Sequence, residues 1–162
     1  MKTLLILRHA KSSWKNSDLA DHDRPLNKRG KRDAPRIGEL LVREEIVPDL
    51  IICSSAKRAK KTTELVVKES GYEGEIIFER DLYAAWPEAY INTLNLSPDE
   101  FGTVMVVGHN PGLEDLLEIL TGEAERMPTA ALANVSLPIE RWGDLSFEIE
   151  AELINIWRPK EI

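Results

Sequence analysis

Apolar positions along the chain fall into two alternating patterns, short unbroken runs and stretches with helical spacing. Leu4-Leu5-Ile6-Leu7 is a first run, read with Thr3 as a strand covered on both faces. Ile37, Leu40, Leu41 and Ile46 then recur at helical spacing over 36–46. Pro35 removes an interior hydrogen bond, so this helix either starts near Asp33 as its N-cap or is kinked there. Pro48 precedes a second run, Leu50-Ile51-Ile52-Cys53. Ser54 or Ser55 is then expected to cap a helix that turns Ala59, Thr62, Thr63 and Val66 inward and stops at Gly71.

Glu75 to Phe78 is a weaker strand, and Trp86 to Leu96 is expected to be helical. Thr103 to Val107 is the third strong strand, followed by Gly108-His109-Asn110-Pro111-Gly112. Pro111 suits the first position of a helix reaching about Leu120. Two further strands, Asn134–Ile139 and Phe147–Trp157, flank the turn signal Trp142-Gly143-Asp144. Strands alternating with helices predict an α/β fold, a three-layer α/β/α sandwich around a mostly parallel sheet. Residues 1–162 form one domain, with no repeat, linker or low-complexity stretch.

Each strong strand runs into polar residues: Arg8-His9, Ser54-Ser55 with Arg58, and Gly108-His109. Parallel strands joined by crossover helices share one carboxyl edge, where ligands bind. Two arginines and two histidines are therefore expected to meet there. Guanidinium forks suit phosphate oxygens, and helix N-termini add free N–H groups. A histidine beside such a site can attack phosphorus, while a second stabilises the transferring oxygens.

Charge and composition narrow the partners. The net charge is −7 and no basic block is long enough to follow a nucleic-acid backbone. An anionic substrate requires a locally basic pocket on this acidic chain. No apolar run approaches a membrane span, and the first one is too short for a signal-peptide core. The single cysteine, Cys53, allows no internal disulfide and suits a reducing, cytoplasmic setting. Cys53 and Arg58 have four residues between them, too few for a Cys-x5-Arg phosphate loop, so Cys53 reads as core. Three histidines and no paired acidic residues at the strand ends leave no metal site, and no cofactor is expected.

Four motifs in register resemble the histidine phosphatase superfamily, which has the phosphoglycerate-mutase-like fold. Arg8-His9-Ala10, continued by Lys11-Ser12-Ser13-Trp14, is similar to its Arg-His-Gly signature and the x-Ser-x-Trp that follows. Asp23-Arg24-Pro25-Leu26-Asn27-x-x-Gly30 resembles its Pro-Leu-Thr-x-x-Gly segment. Ser54 to Thr62 resembles its Ser-x-x-x-Arg-Ala-x-x-Thr helix start, and Val107-Gly108-His109 its second-histidine strand end. The matches span 4–115; the last third carries none.

The resemblance implies that His9 is the nucleophile and that Arg8, Arg58, His109 and Ser12 hold the phosphoryl group. The chain's small size resembles the SixA-type phosphohistidine phosphatases. Ala10 replaces the family glycine, and Tyr83 falls where the family's general-acid glutamate is expected. Asp21 is the best substitute by position, ahead of Asp23, Asp81 and Glu88. Lys60 and Lys61 read as a solvated helix face and His22 as an exposed loop residue. Trp86, Trp142 and Trp157 read as packing residues. The expected activity is metal-independent removal of a phosphoryl group through phospho-His9, releasing inorganic phosphate. The preferred substrate is phosphohistidine on a partner protein; a small phosphorylated metabolite, or binding without turnover, are the alternatives. Neither nucleic acid nor membrane is an expected partner.

Overall fold

The computed structural model describes all residues, Met1–Ile162. Six strands form one sheet: β1 (Lys2–Arg8), β2 (Leu50–Ser54), β3 (Glu75–Glu79), β4 (Thr103–Gly108), β5 (Leu132–Leu137) and β6 (Glu152–Trp157). Their order is β3-β2-β4-β1-β5-β6. The first four are mutually parallel, while β5 runs antiparallel to both β1 and β6. Helices α1 (Lys28–Arg43) and α2 (Lys57–Ser70) cover one face; α3 (Pro87–Leu94) and α4 (Gly112–Thr121) cover the other.

The unbroken apolar runs explain the layering. Successive strand residues point to opposite faces. Leu5, Leu7, Ile51, Cys53, Met105 and Val107 join Ile37, Leu40 and Leu41 of α1 and Ala59 and Val66 of α2. Leu4, Ile6, Leu50, Ile52, Val104 and Val106 join Tyr90, Leu94, Leu113, Leu116 and Leu117 on the other side. Close approach of α1 to α2 depends on Gly38, where a Cβ would lie 2.6 Å from the Val66 carbonyl oxygen.

Several local expectations are corrected. Helix α1 starts at Lys28, capped by Asn27, whose side chain accepts from the Gly30 N–H at 2.9 Å. It continues through Pro35 and ends before Ile46. Asp33 is thus interior and buried, not a cap. Neither Ser54 nor Ser55 is the N-cap of α2; that position is Ala56, and no side chain caps it. Pro111 occupies the N-cap position of α4, one residue earlier than expected. Strand β5 ends at Leu137 because Pro138 has no N–H for the ladder. Strand β6 begins only at Glu152.

Trp142 is fully buried and donates its indole N–H to the Phe101 carbonyl at 2.8 Å. Trp157 packs half-buried, but Trp86 is 76% exposed, contrary to the expectation of packing. Helix α2 stops at Gly71 as expected, with φ of 69°.

Strand β4 reaches its end under a tight constraint. A Cβ on Gly108 would lie 2.1 Å from the Tyr90 hydroxyl oxygen, the same hydroxyl that accepts from the His109 N–H at 3.2 Å. Gly108→Ala is expected to destabilise by about 1–3 kcal/mol through overpacking, with part recovered by adding Tyr90→Phe. Denaturant midpoints for the single and double variants measure this, and equal losses would refute the clash.

Candidate active site

The site is built by strand register. In the parallel β1–β4 pair Arg8 lies opposite Gly108, and the His9 N–H continues the ladder to the Gly108 carbonyl at 3.1 Å. The next residues, His9 and His109, therefore emerge side by side, with ring centroids 5.0 Å apart, close to the spacing of neighbouring strands. On the other side of β4, Cys53 pairs with Val107, so Ser54 lies level with Gly108. Arg58 follows in the first turn of α2.

His9 is buried, and its Nδ1 lies 2.8 Å from the Ala10 carbonyl oxygen. A carbonyl only accepts, so Nδ1 carries the proton and Nε2 keeps the lone pair. The Ala10 N–H donates to Thr62 Oγ1 at 2.9 Å, and that hydroxyl donates to the Arg58 carbonyl at 2.7 Å. The loop after β1 is thus tied to the helix that supplies Arg58.

His109 Nε2 lies 2.7 Å from Ser54 Oγ, which also accepts from the Ala56 N–H at 3.2 Å. The Ser54–His109 hydrogen bond can run either way, and an anion in the site selects the form in which Ser54 donates to Nε2 and the His109 proton sits on Nδ1. That nitrogen is buried with no protein partner. Arg8 Nε and Arg58 Nε are buried and unpaired as well. Most buried polar atoms are satisfied within a protein, so two unpaired guanidinium N–H donors beside an unpaired imidazole nitrogen describe an anion site.

The guanidiniums are held by oxygens. Arg8 donates to the Met127 carbonyl at 3.1 Å, which also accepts from Asn110 Nδ2 at 2.8 Å. Arg58 donates to the Asp21 carbonyl at 2.7 Å and to Asp21 Oδ2 at 3.1 Å. The Tyr83 hydroxyl donates to the same Oδ2 at 2.6 Å, and Arg24 Nε donates to Asp21 Oδ1 at 3.0 Å. Asp21 is therefore an acceptor on both oxygens. The Tyr83 hydroxyl above all, helped by Arg24 and Arg58, holds its carboxyl well below the usual range. This favours the ionised form of Asp21, which weighs against the general-acid role expected of it.

Ser12 is buried, and its hydroxyl oxygen accepts from Arg24 at 2.7 Å. Arg24 also stacks on Trp14, 3.4 Å from the ring centroid. His22, expected to be an exposed loop residue, is half-buried at the rim, 2.8 Å from Ser55 Oγ and edge-on to Tyr83. Asp23 pairs with His22 at 3.5 Å, and Asp81 and Glu88 are exposed. Burial pushes the Cys53 thiol up to about 12, so it is no nucleophile at neutral pH. No group of three or more His, Cys, Asp or Glu side chains is placed to hold a metal ion.

Comparisons with known proteins agree with this geometry. The family model of the histidine phosphatase superfamily (branch 1) matches residues 4–83. An uncharacterised protein of Mycobacterium leprae is 31% identical over 167 residues, covering 95% of this chain and all of the relative. The chain is a member of the histidine phosphatase superfamily. An uncharacterised chloroplastic protein of Arabidopsis thaliana is 32% identical over 82% of the chain, which spans only 65% of that relative's length. A crystal structure from Agrobacterium tumefaciens, provisionally identified as the phosphohistidine phosphatase SixA, superposes with a TM-score of 0.84. It is 30% identical, and 98% of each chain is covered. The phosphoglycerate-mutase-like α/β fold is thereby established, and with it a phosphatase of this superfamily.

Sequence patterns missed Ser54 as a partner of His109, the Met127 carbonyl and Tyr90. A main-chain carbonyl leaves no mark on the sequence. Ser54 does stand in the motif, but its place there reads equally as a helix cap.

Burial, with His109, Arg58 and Arg8 adding to it against the Ala10 carbonyl, holds His9 at about 3. Burial and Arg58 hold His109 at about 4, with Asp21 opposing. Unfolded imidazoles take up protons below about pH 6.5. Between there and the folded values the unfolded chain binds more protons, so stability rises with pH across that window. Acidification from pH 6.5 to 4 is expected to cost up to about 1.4 kcal/mol per pH unit for each proton taken up. His9→Gln/His109→Gln should flatten this part of a stability–pH curve. An unchanged slope would assign it to other groups.

Proposed function

We propose that the protein hydrolyses phosphohistidine on a partner protein through a phospho-His9 intermediate. The observation that carries this reading is the His9 Nδ1 to Ala10 carbonyl contact of 2.8 Å, which reserves Nε2 as nucleophile. Because burial and the neighbouring cations keep His9 neutral, its lone pair is available at ordinary pH. Arg8, Arg58 and His109 surround the phosphoryl oxygens. A bound dianion raises the proton affinity of His109, so it donates to the transferring group as charge develops.

In the first step the Nε2–P bond forms and the substrate's P–N bond breaks, its electron pair returning to the departing imidazole. That imidazole leaves neutral when its other nitrogen already carries a proton. Nδ1 of His9 keeps its own proton and donates it in a hydrogen bond to the Ala10 oxygen, so phospho-His9 is an imidazolium and a good leaving group in turn. Water then attacks phosphorus, the P–Nε2 bond breaks, and both water protons leave with dihydrogen phosphate. Neither step needs a protonated carboxyl. Expulsion of an alkoxide does need one, and the ion pairs of Asp21 argue against its supplying that proton. The substrate named for the Agrobacterium protein fits the same preference.

Two measurements test the mechanism. Brief reaction with labelled phosphohistidine peptide should trap an adduct stable in base and lost in acid, absent from His9→Ala. Label on Cys53 or on an aspartate would refute the assignment. Arg58→Ala should lower turnover by about 10²–10³, as loss of a charge-stabilising donor does. Chelation should leave the wild-type rate unchanged, and loss restored by one specific ion would replace this mechanism with a metal-assisted one.

Leaving-group dependence tests the substrate class. Phosphohistidine peptide and phenyl phosphate should be turned over faster than an alkyl phosphate by about 10²–10⁴, the usual contribution of a positioned acid. Asp21→Asn should cost a similar, modest factor on all three, since Asp21 holds Arg58 and Tyr83 in place. A loss confined to the alkyl phosphate would restore Asp21 as the donor.

A further inference from the structure

Arg8 faces two spaces. One is the histidine cluster; the other is a cavity of about 830 Å³, within the size range of small-molecule sites. Topology brings its walls together. Because β5 runs antiparallel to β1 and β6 returns parallel to it, residues 126–129 and 158–161 arrive at the carboxyl edge beside Arg8. The start of α1 closes the opposite wall.

The lining holds seven Arg or Lys residues against three acidic ones, in a chain whose net charge is −7. Arg29 and Arg32 have one acidic partner between them, the buried Asp33, at 3.8 and 3.3 Å, and Arg36 shares that carboxylate at 3.4 Å while also donating to the Ile162 oxygen. Arg158 is matched by Glu125 and Glu161. Arg126 adds positive charge with no acidic partner within ion-pair distance. One carboxylate cannot neutralise Arg29 and Arg32 together with its share of Arg36, and the excess positive charge repels itself. These side chains keep contact with solvent, yet Asp33 gathers all three along one wall of a half-open cavity. Arg8 Nε, buried and unpaired, lies at the junction with the histidine cluster.

Resting on the phosphatase reading, we propose that this cavity binds a second anionic group of the substrate, a phosphate or a carboxylate. The preferred substrate then carries at least one anionic group beyond the phosphoryl group removed. Two sources share that chemistry: a small molecule with a second phosphate, and acidic residues flanking phosphohistidine in a polypeptide.

Two matched substrate pairs separate the sources. The first is phenyl phosphate against 4-(phosphonomethyl)phenyl phosphate; the second is a phosphohistidine peptide with Gln flanks against the same peptide with Glu flanks. In at least one pair, kcat/KM for the more anionic member should be higher by about tenfold or more at low ionic strength, the scale of one charge-assisted contact. Arg29→Gln/Arg32→Gln should abolish that preference and leave phenyl phosphate turnover unchanged, because both side chains lie outside the histidine cluster. The responding pair identifies the source. Equal kcat/KM within both pairs, or a preference that survives the double substitution, overturns the proposal. Should wild type turn over none of the four, the phosphatase reading falls on its own. The cavity is then judged by tripolyphosphate, which should raise the wild-type melting temperature but not that of the double variant. An equal shift in both proteins would refute it.

Discussion

The in-register parallel pairing of β1 with β4 is the constraint on which the remainder of this structure depends. Arg8 opposite Gly108 makes His9 and His109 neighbours, and no contact between the imidazoles themselves is needed to hold them. A slip of one residue would turn every side chain of β1 to the other face and bury polar groups in one of the two cores. The apolar runs on both faces thus fix the register, and the register fixes the histidine spacing. Gly108 completes the arrangement by letting the Tyr90 hydroxyl reach the His109 N–H.

Electrostatics explains why a mostly acidic chain can handle an anion. Positive charge is concentrated at one sheet edge, where Arg8 and Arg58 are oriented by the Met127 and Asp21 carbonyls. Carbonyl acceptors orient a guanidinium without cancelling its charge, whereas a carboxylate does both. Asp21 supplies one of each to Arg58, and its carboxylate is shared with Arg24 and Tyr83. The histidines respond to the same field. Burial above all, with the neighbouring cations, favours their neutral forms. The hydrogen bond from Tyr83, with the same cations, makes the arrangement poor at retaining a proton on the Asp21 carboxyl.

Much was legible in the amino-acid order alone. Runs such as Leu4–Leu7 and Thr103–Val107 specify strands buried on both sides, and the polar residues ending them mark a shared edge, because parallel strands have few other arrangements. Arg8, His9, Arg58 and His109 could be named from that logic, and Cys53 could be set aside by its spacing. Tertiary structure decided what depends on partners distant in sequence. Ser54 binds His109, 55 positions away, where a helix cap was the local reading. The role open to Asp21 depends on Arg24, Arg58 and Tyr83 converging on one carboxylate, and proton affinity belongs to that assembly and not to the residue. Arg29, Arg32 and Arg36 carry no signal in the linear pattern that separates them from other charged positions. Only the return of β5 and β6 to the carboxyl edge sets them along one wall of a half-open cavity beside Arg8. Periodicity and turn chemistry act over a few residues and so survive in the sequence. Charge balance and enclosure arise from what the fold brings together, and they are absent until it does.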